Sequence, residues 1–181
     1  MLTLSDIRGS KTVMQGAKHI ATASFRDFRG TFDALWESEK FSSSGLHFHP
    51  GSCALSYNDK LGTLRGLHYQ KPPYGQAKLV TCTRGRVWDV IADLRPNSSS
   101  YLSWAATELC EAMGHAVYVP AGYAHGFITL TDNATVAYLI EGSYVPDASG
   151  VVRWNDTALG ITWPIDEPIL TERDRSALNL L

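Results

Sequence analysis

From Lys78 onward the chain is a succession of short β-prone runs, each stopped by turn-forming residues, and this rhythm limits the folds open to it more than any other feature. Lys78 to Leu94 reads as two strands joined at Arg84-Gly85, with Val87, Trp88, Val90 and Ile91 supplying β-branched and aromatic bulk. Ala116 to Val119, Phe127 to Leu130 and Thr135 to Ile140 follow, punctuated by Pro120-Ala-Gly, Thr131-Asp-Asn and Gly142-Ser. Such spacing predicts an all-β sandwich or barrel rather than strands alternating with helices. Helix signals are few: Phe32 to Lys40, and the carboxyl end from Leu170, where Thr171-Glu-Arg-Asp-Arg has a polar start. With 181 residues and no repeat, linker or low-complexity tract, residues 1–181 are expected to form one domain, large enough to bury about two thirds of its unfolded surface.

Charge narrows the function classes. Sixteen Lys and Arg against 18 Asp and Glu leave no basic field for nucleic acid or an anionic membrane. Cys53, Cys82 and Cys110 are odd in number and show no C-x-x-C spacing, so a disulfide framework is not expected and a reducing compartment fits. Met1-Leu-Thr-Leu-Ser-Asp-Ile-Arg carries no apolar run behind a basic one, so we expect a cytoplasmic protein without signal peptide or membrane span.

Two segments carry the chemistry: Gly62-Thr-Leu-Arg-Gly-Leu-His-Tyr-Gln70 and Gly114-His-Ala-Val-Tyr-Val-Pro-Ala-Gly-Tyr-Ala-His125. Their spacing resembles the two cupin motifs, which implies a cupin-type β-barrel or jelly roll with a few short peripheral helices. The metal ligands of that pattern are altered: the second His of the first motif is Gln70, and the Glu position, before Gly85, is Lys78. An ammonium repels a divalent cation, and only His68 and His125 remain where three or four ligands are wanted. A metal-free pocket suited to proton transfer is therefore expected. His47-Phe-His49 has no Glu at the required spacing and precedes Pro50-Gly51, so it reads as loop. Strand periodicity puts His68 and Gln70 on one face and Val136, Tyr138 and Ile140 on one face, so that His68, Tyr138 and His125 are candidates for a shared cavity.

The stretch from Gly62 to Pro164 resembles the dTDP-4-dehydrorhamnose 3,5-epimerase family of metal-free cupins, which act on nucleotide-linked 4-keto-6-deoxy sugars. The resemblance rests on Leu64-Arg-Gly-Leu-His-Tyr-Gln70, Lys78-Leu-Val, Gly85-Arg-Val-Trp-Asp-Val-Ile-Ala-Asp-Leu-Arg95, Val119-Pro-Ala-Gly-Tyr-Ala-His-Gly-Phe127 and Trp154-Asn-Asp-Thr-Ala-Leu-Gly-Ile-Thr-Trp-Pro164, with Asp27-Phe-Arg-Gly30 extending it toward the amino end. It implies His68 as the base, Tyr138 as the acid on the opposite face, Lys78 beside the enolate oxygen and Asp174 as the base's carboxylate partner. It further implies Arg65 and Arg29 at the diphosphate, His125 and Gln70 in the pocket, Phe25 and Tyr144 stacking on the nucleobase, no cofactor, and a homodimer.

Those residue types suit epimerisation beside a ketone. The hydrogens on C3 and C5 of a 4-keto sugar are α to the carbonyl, and either leaves as a proton once the enolate is stabilised. A mostly neutral His accepts it, a carboxylate fixes that His, a cation answers the growing oxygen charge, and a neutral phenol returns a proton. Where the family has a Gln-x-Asn segment, this chain has Cys53-Ala-Leu-Ser-Tyr-Asn58, and Thr31-Phe-Asp-Ala34 also departs from the family pattern. Both departures fall on nucleotide-reading positions, so GDP- or CDP-linked sugars and heptoses stay open beside dTDP-hexoses, as does inversion at C3 alone. Two rivals of other classes stand beside the epimerase: a non-catalytic sugar-nucleotide binding cupin and a metal-dependent cupin isomerase or oxygenase.

Overall fold

The structure, a computed structural model, describes residues 2–22, 24–111 and 114–180. In chain order the strands are β1 (Thr3–Arg8), β2 (Val13–Ala21), β3 (Ser24–Asp27), β4 (Gly30–Asp33), β5 (Ser52–Asn58), β6 (Leu64–Gln70), β7 (Ala77–Arg84), β8 (Arg86–Asp93), β9 (Trp104–Cys110), β10 (His115–Val119), β11 (Tyr123–Thr129), β12 (Ala134–Glu141) and β13 (Ser149–Val151). Two short helices accompany them, α1 (Ser38–Ser43) and α2 (Glu172–Arg175). The strands form a six-stranded sheet in the order β1-β2-β10-β7-β12-β5 and a five-stranded sheet in the order β13-β6-β11-β8-β9, while β3 and β4 pair only with each other. This is the all-β, cupin-type architecture the sequence leads one to expect.

Alternation builds the core. Val80, Cys82, Val117, Val119 and Val136 from the larger sheet meet Val87, Ile91, Leu109 and Phe127 from the smaller one in a single buried cluster, so these residues face inward between the sheets. On the outer face of the five-stranded sheet, Leu64, Leu67, Val90 and Ile128 pack with Val152, Leu159 and Trp163 from the carboxyl-terminal segment. Ile20, Leu79, Ala116 and Tyr118 on the other outer face are covered by Phe41 of α1 and by Phe48. The helix expected over Phe32–Lys40 is displaced: Phe32 and Asp33 close the β4 hairpin, and helical structure begins at Ser38. Trp36, in the extended segment between them, packs against the outer-face cluster, so tertiary burial overrides the helix propensity of this stretch. Among the described residues, no helix is long and apolar enough to cross a membrane.

One irregularity decides which side chains of β6 face inward. His125 on β11 pairs with His68 and Phe127 pairs with Arg65, so two steps along β11 match three along β6 and the register shifts between them. The extra residue is a β-bulge, and it puts Arg65 and His68 on the same face although strict alternation would oppose them. Gly66 makes it possible: its φ is +133°, and a Cβ there would lie 2.6 Å from the Cα of Gly126. Gly66→Ala is expected to lower stability by about 1–3 kcal/mol, the range for overpacking a core, with added backbone strain. Urea unfolding measures this directly, and wild-type stability in that variant would show that the bulge tolerates a side chain.

Candidate functional site

Both sheets turn polar side chains toward the space between them. Arg65 and His68 on β6 share a face with their cross-strand partners on β11, and Asp89 on β8 pairs with the inward-facing Phe127. From the opposite sheet, Lys78 on β7 pairs with the inward-facing Val119, and Tyr138 on β12 pairs with the inward-facing Val80. The His125 and Tyr138 rings meet edge to face, centroids 5.9 Å apart, across the gap. The structure thus brings His68, His125, Lys78, Tyr138 and Arg65 to one place.

His68 and Asp174 form a directional pair. Nε2 of His68 lies 2.7 Å from Oδ1 of Asp174. The imidazole is 41% exposed and the carboxylate only 4%, so the ring edge reaches the cavity while its partner is held inside. Burial alone would raise the Asp174 pKa, but hydrogen bonds from His68, the Gly66 N–H and Thr171 outweigh it and keep the carboxyl below its ordinary value. An ionised Asp174 accepting from Nε2–H fixes the tautomer whose free lone pair is on Nδ1. Asp174 is delivered by the first turn of α2, where the Thr171 hydroxyl caps the Asp174 N–H at 3.2 Å.

A second pair lies deeper. Nε2 of His125 is 2.7 Å from Oδ2 of Asp89, with both side chains almost wholly buried, and Oδ1 of Asp89 is buried without a hydrogen-bond partner among the described residues. Asp89 belongs to neither cupin motif of the sequence. Its signal was a lone carboxylate inside Val87-Trp-Asp-Val-Ile91, an apolar run in which an unpaired charge would be costly. Asp89 adds its charge to what burial does to two groups on the facing sheet. Burial lowers the Lys78 pKa and Asp89 opposes that fall. Burial raises the Tyr138 phenol well above its ordinary range, Asp89 adds to the rise, and Arg65 opposes it.

Among the described residues Arg65 bonds only to neutral partners, Nε to the Asn58 side-chain oxygen at 2.7 Å and one terminal nitrogen to the Tyr57 carbonyl at 3.3 Å. Its charge and its remaining donors are free for an anion, the geometry in which Arg recognises phosphate. Gln70 has its amide engaged by backbone groups of two loops, so it has no N–H left for a ligand. Tyr144 is exposed on the loop after β12. Phe25 and Arg29 lie apart, on the β3–β4 hairpin, where Arg29 is ion-paired with Asp27 at 2.5 Å.

Metal binding does not fit this donor set. Nε2 of each pocket histidine already faces a carboxylate, and the Lys78 ammonium shares the cavity. Among the described residues, no group of three or more His, Cys, Asp or Glu side chains is arranged to hold a metal ion, and His47 and His49 lie in an irregular segment. The geometry suits proton transfer: a base on one sheet, a phenol and a cation on the other.

Comparison with known proteins points to one family. The family model for dTDP-4-dehydrorhamnose 3,5-epimerase matches residues 11–181. A dTDP-4-dehydrorhamnose 3,5-epimerase of Sinorhizobium fredii is 36% identical over 164 residues, covering 90% of this chain and 84% of the relative. A dTDP-4-dehydrorhamnose 3-epimerase of Streptomyces niveus is 38% identical over 168 residues, covering 92% and 81%. The crystal structure of a dTDP-4-dehydrorhamnose 3,5-epimerase from Bacillus anthracis with TDP and PPi bound superposes with a TM-score of 0.91 at 34% identity, covering 96% of this chain and 99% of that one.

If Asp89 sustains the charge on Lys78, NMR titration of the Lys78 ε-carbon should give a pKa below the ordinary 10.5 in the wild type and lower still in Asp89→Asn. An unchanged value in the variant would remove Asp89 from this role.

Proposed function

The chain belongs to the dTDP-4-dehydrorhamnose 3,5-epimerase family and is an isomerase, and on that footing we propose that it inverts C3, or C3 and C5, of a dTDP-linked 4-keto-6-deoxy sugar in deoxysugar biosynthesis. The observation that carries the mechanism is the division of the site between two sheets, with His68 on one and Tyr138 and Lys78 on the other. A sugar ring held between them presents one face to the base and the opposite face to the acid.

His68 Nδ1 takes the proton α to the ketone. The C–H electron pair moves into an enolate whose oxygen lies beside the Lys78 ammonium, a contribution of roughly 3 kcal/mol by analogy with oxyanion-hole donors in a dry site. Asp174 stabilises the imidazolium that results. Tyr138 then donates its phenolic proton to the other face of the carbon, and solvent exchange restores both groups. Protons and electrons balance without a cofactor. Arg65 takes the diphosphate, His125 and Asp89 hold the charge balance of the cavity, and Tyr144 stacks on the base. The dTDP assignment draws support from the names of the relatives and from the TDP in the Bacillus anthracis structure, against the missing Gln-x-Asn amides.

The decisive experiment follows solvent deuterium into dTDP-, GDP- and CDP-linked 4-keto-6-deoxy sugars by mass spectrometry. Two deuterons on the dTDP sugar are expected for a 3,5-epimerase and one for a 3-epimerase. His68→Asn should slow exchange by about 10²–10⁴-fold, the usual yield of a positioned base, and dialysis against EDTA should leave the rate unchanged. Tyr138→Phe should retain exchange while losing inversion. No exchange on any sugar would favour the non-catalytic binding reading, and loss of activity with EDTA the metal-dependent one.

The working unit in this proposal is a cytoplasmic homodimer of a single domain spanning residues 1–181. Phe25, Phe28 and Phe32 on the β3–β4 hairpin are 65, 98 and 68% exposed, an apolar surface that a second copy covers. Across that interface Arg29 and Phe25 meet the substrate of the other copy. Sedimentation should give twice the 19.9 kDa chain mass, and a monomer at working concentration would overturn the dimer.

A further inference from the structure

Gln70 stands where the metal-binding motif has a histidine, yet among the described residues its amide hydrogen-bonds to neither His68 nor His125. It is 6% exposed at the end of β6, and its amide is held by backbone groups. Nε2 donates to the Tyr74 carbonyl at 2.7 Å and the Ser143 carbonyl at 2.9 Å, while Oε1 accepts from the Val145 N–H at 2.6 Å. The orientation is unambiguous, since the reverse would set oxygen against two carbonyls. Two of these three partners, Ser143 and Val145, flank Tyr144, whose own side chain is 62% exposed. One buried amide therefore grips the chain on both sides of an exposed aromatic.

The loop that carries Tyr144 follows β12 at the end of its pairing with β7, next to Lys78. It leaves β12 after Glu141, which pairs with Ala77, the neighbour of Lys78. Gln70 itself is two residues along β6 from His68. Gln76 adds a second tie, Nε2 to the Gly142 carbonyl at 3.2 Å. We infer that Gln70 is a positioning residue for substrate affinity: it locks the backbone around Tyr144 so that the ring is presented as a preformed platform for the nucleobase. This rests on the stacking role proposed above for Tyr144. A platform fixed before binding loses less conformational freedom when the base arrives, so the clamp acts on affinity rather than on proton transfer.

A double-mutant cycle tests it. Titration calorimetry with dTDP and steady-state kinetics would be run on wild type, Gln70→Met, Tyr144→Ala and the double variant, with circular dichroism verifying folding. Gln70→Met is expected to raise the Kd for dTDP and the KM for the dTDP sugar about 10-fold with kcat within about two-fold, and to have little further effect once Tyr144 is Ala. Gln70→Glu, which sets a carboxylate against the Tyr74 and Ser143 carbonyls, should behave alike and replaces Gln70→Met if that variant does not fold. Full additivity with Tyr144→Ala, or an unchanged Kd, would overturn the inference while leaving the epimerase reading intact. A wild-type protein that binds no dTDP would overturn the stacking role and this inference together.

Discussion

The bulge at Gly66 sets the alternation of β6, and the site takes its register from it. In a regular strand Arg65 and His68 would point to opposite faces, and one of them would enter the apolar layer of Leu64, Leu67 and Trp163. The bulge depends on glycine from both sides. A Cβ on Gly66 would meet the Cα of Gly126 at 2.6 Å, and one on Gly126 would meet the Arg65 carbonyl at 2.7 Å. Two strands thus approach closely at the one point where the inward pattern must slip. The result is an arginine and a histidine on the same wall of the cavity, three residues apart in sequence.

Two His–Asp pairs of equal length differ in burial. His68–Asp174 keeps its carboxylate inside and its imidazole half open, which is the arrangement for exchanging a proton with a bound molecule. His125–Asp89 is buried at both ends. Asp89 favours the charged form of Lys78 and the neutral form of Tyr138 at the same time. The proposed reaction needs both states together, a cation for the enolate and an undissociated phenol for reprotonation. One carboxylate, on the sheet facing them, biases both in the required direction.

Much of the fold was legible because β7, β8, β10 and β12 carry β-branched residues between unmistakable turns, and their expected positions match the observed strands closely. β1 and β2 were not read, since Asp6 and Lys18, which pair with each other, break up their apolar pattern. The helix expected over Phe32–Lys40 was misplaced because its formers, Ala34 to Lys40, are shared between an extended segment packed by Trp36 and a helix of six residues. In the space between the sheets, motif spacing pointed to His68, Lys78 and His125, whereas Asp89 lay inside a strand pattern and belonged to neither cupin motif. Gln70 was read as a pocket residue from its place beside His68, but a side chain's partners depend on loops brought close by the fold. Here these are loops 71–76 and 142–145, a relation that strand periodicity does not encode.

Asp174 sits on a four-residue helix outside both sheets, yet its carboxylate is buried. Its stability comes from anchors on either side. Ile169 bridges Thr63 just before β6, with Ile169 N–H to the Gly62 carbonyl at 2.8 Å and Leu64 N–H to the Ile169 carbonyl at 2.9 Å. Beyond it, Arg173 donates to the Ser149 hydroxyl at 2.8 Å and the Leu180 N–H to Asp156 at 2.6 Å. Ile165, Leu170 and Leu180 pack on the outer face of the five-stranded sheet, the same layer that Trp163 closes. The tail is thus a structural layer of the barrel, and the Asp174–His68 bond is one of several contacts that order it. Coupling in the other direction follows: loosening the apolar layer outside the sheet would free the carboxylate that pairs with His68 inside it.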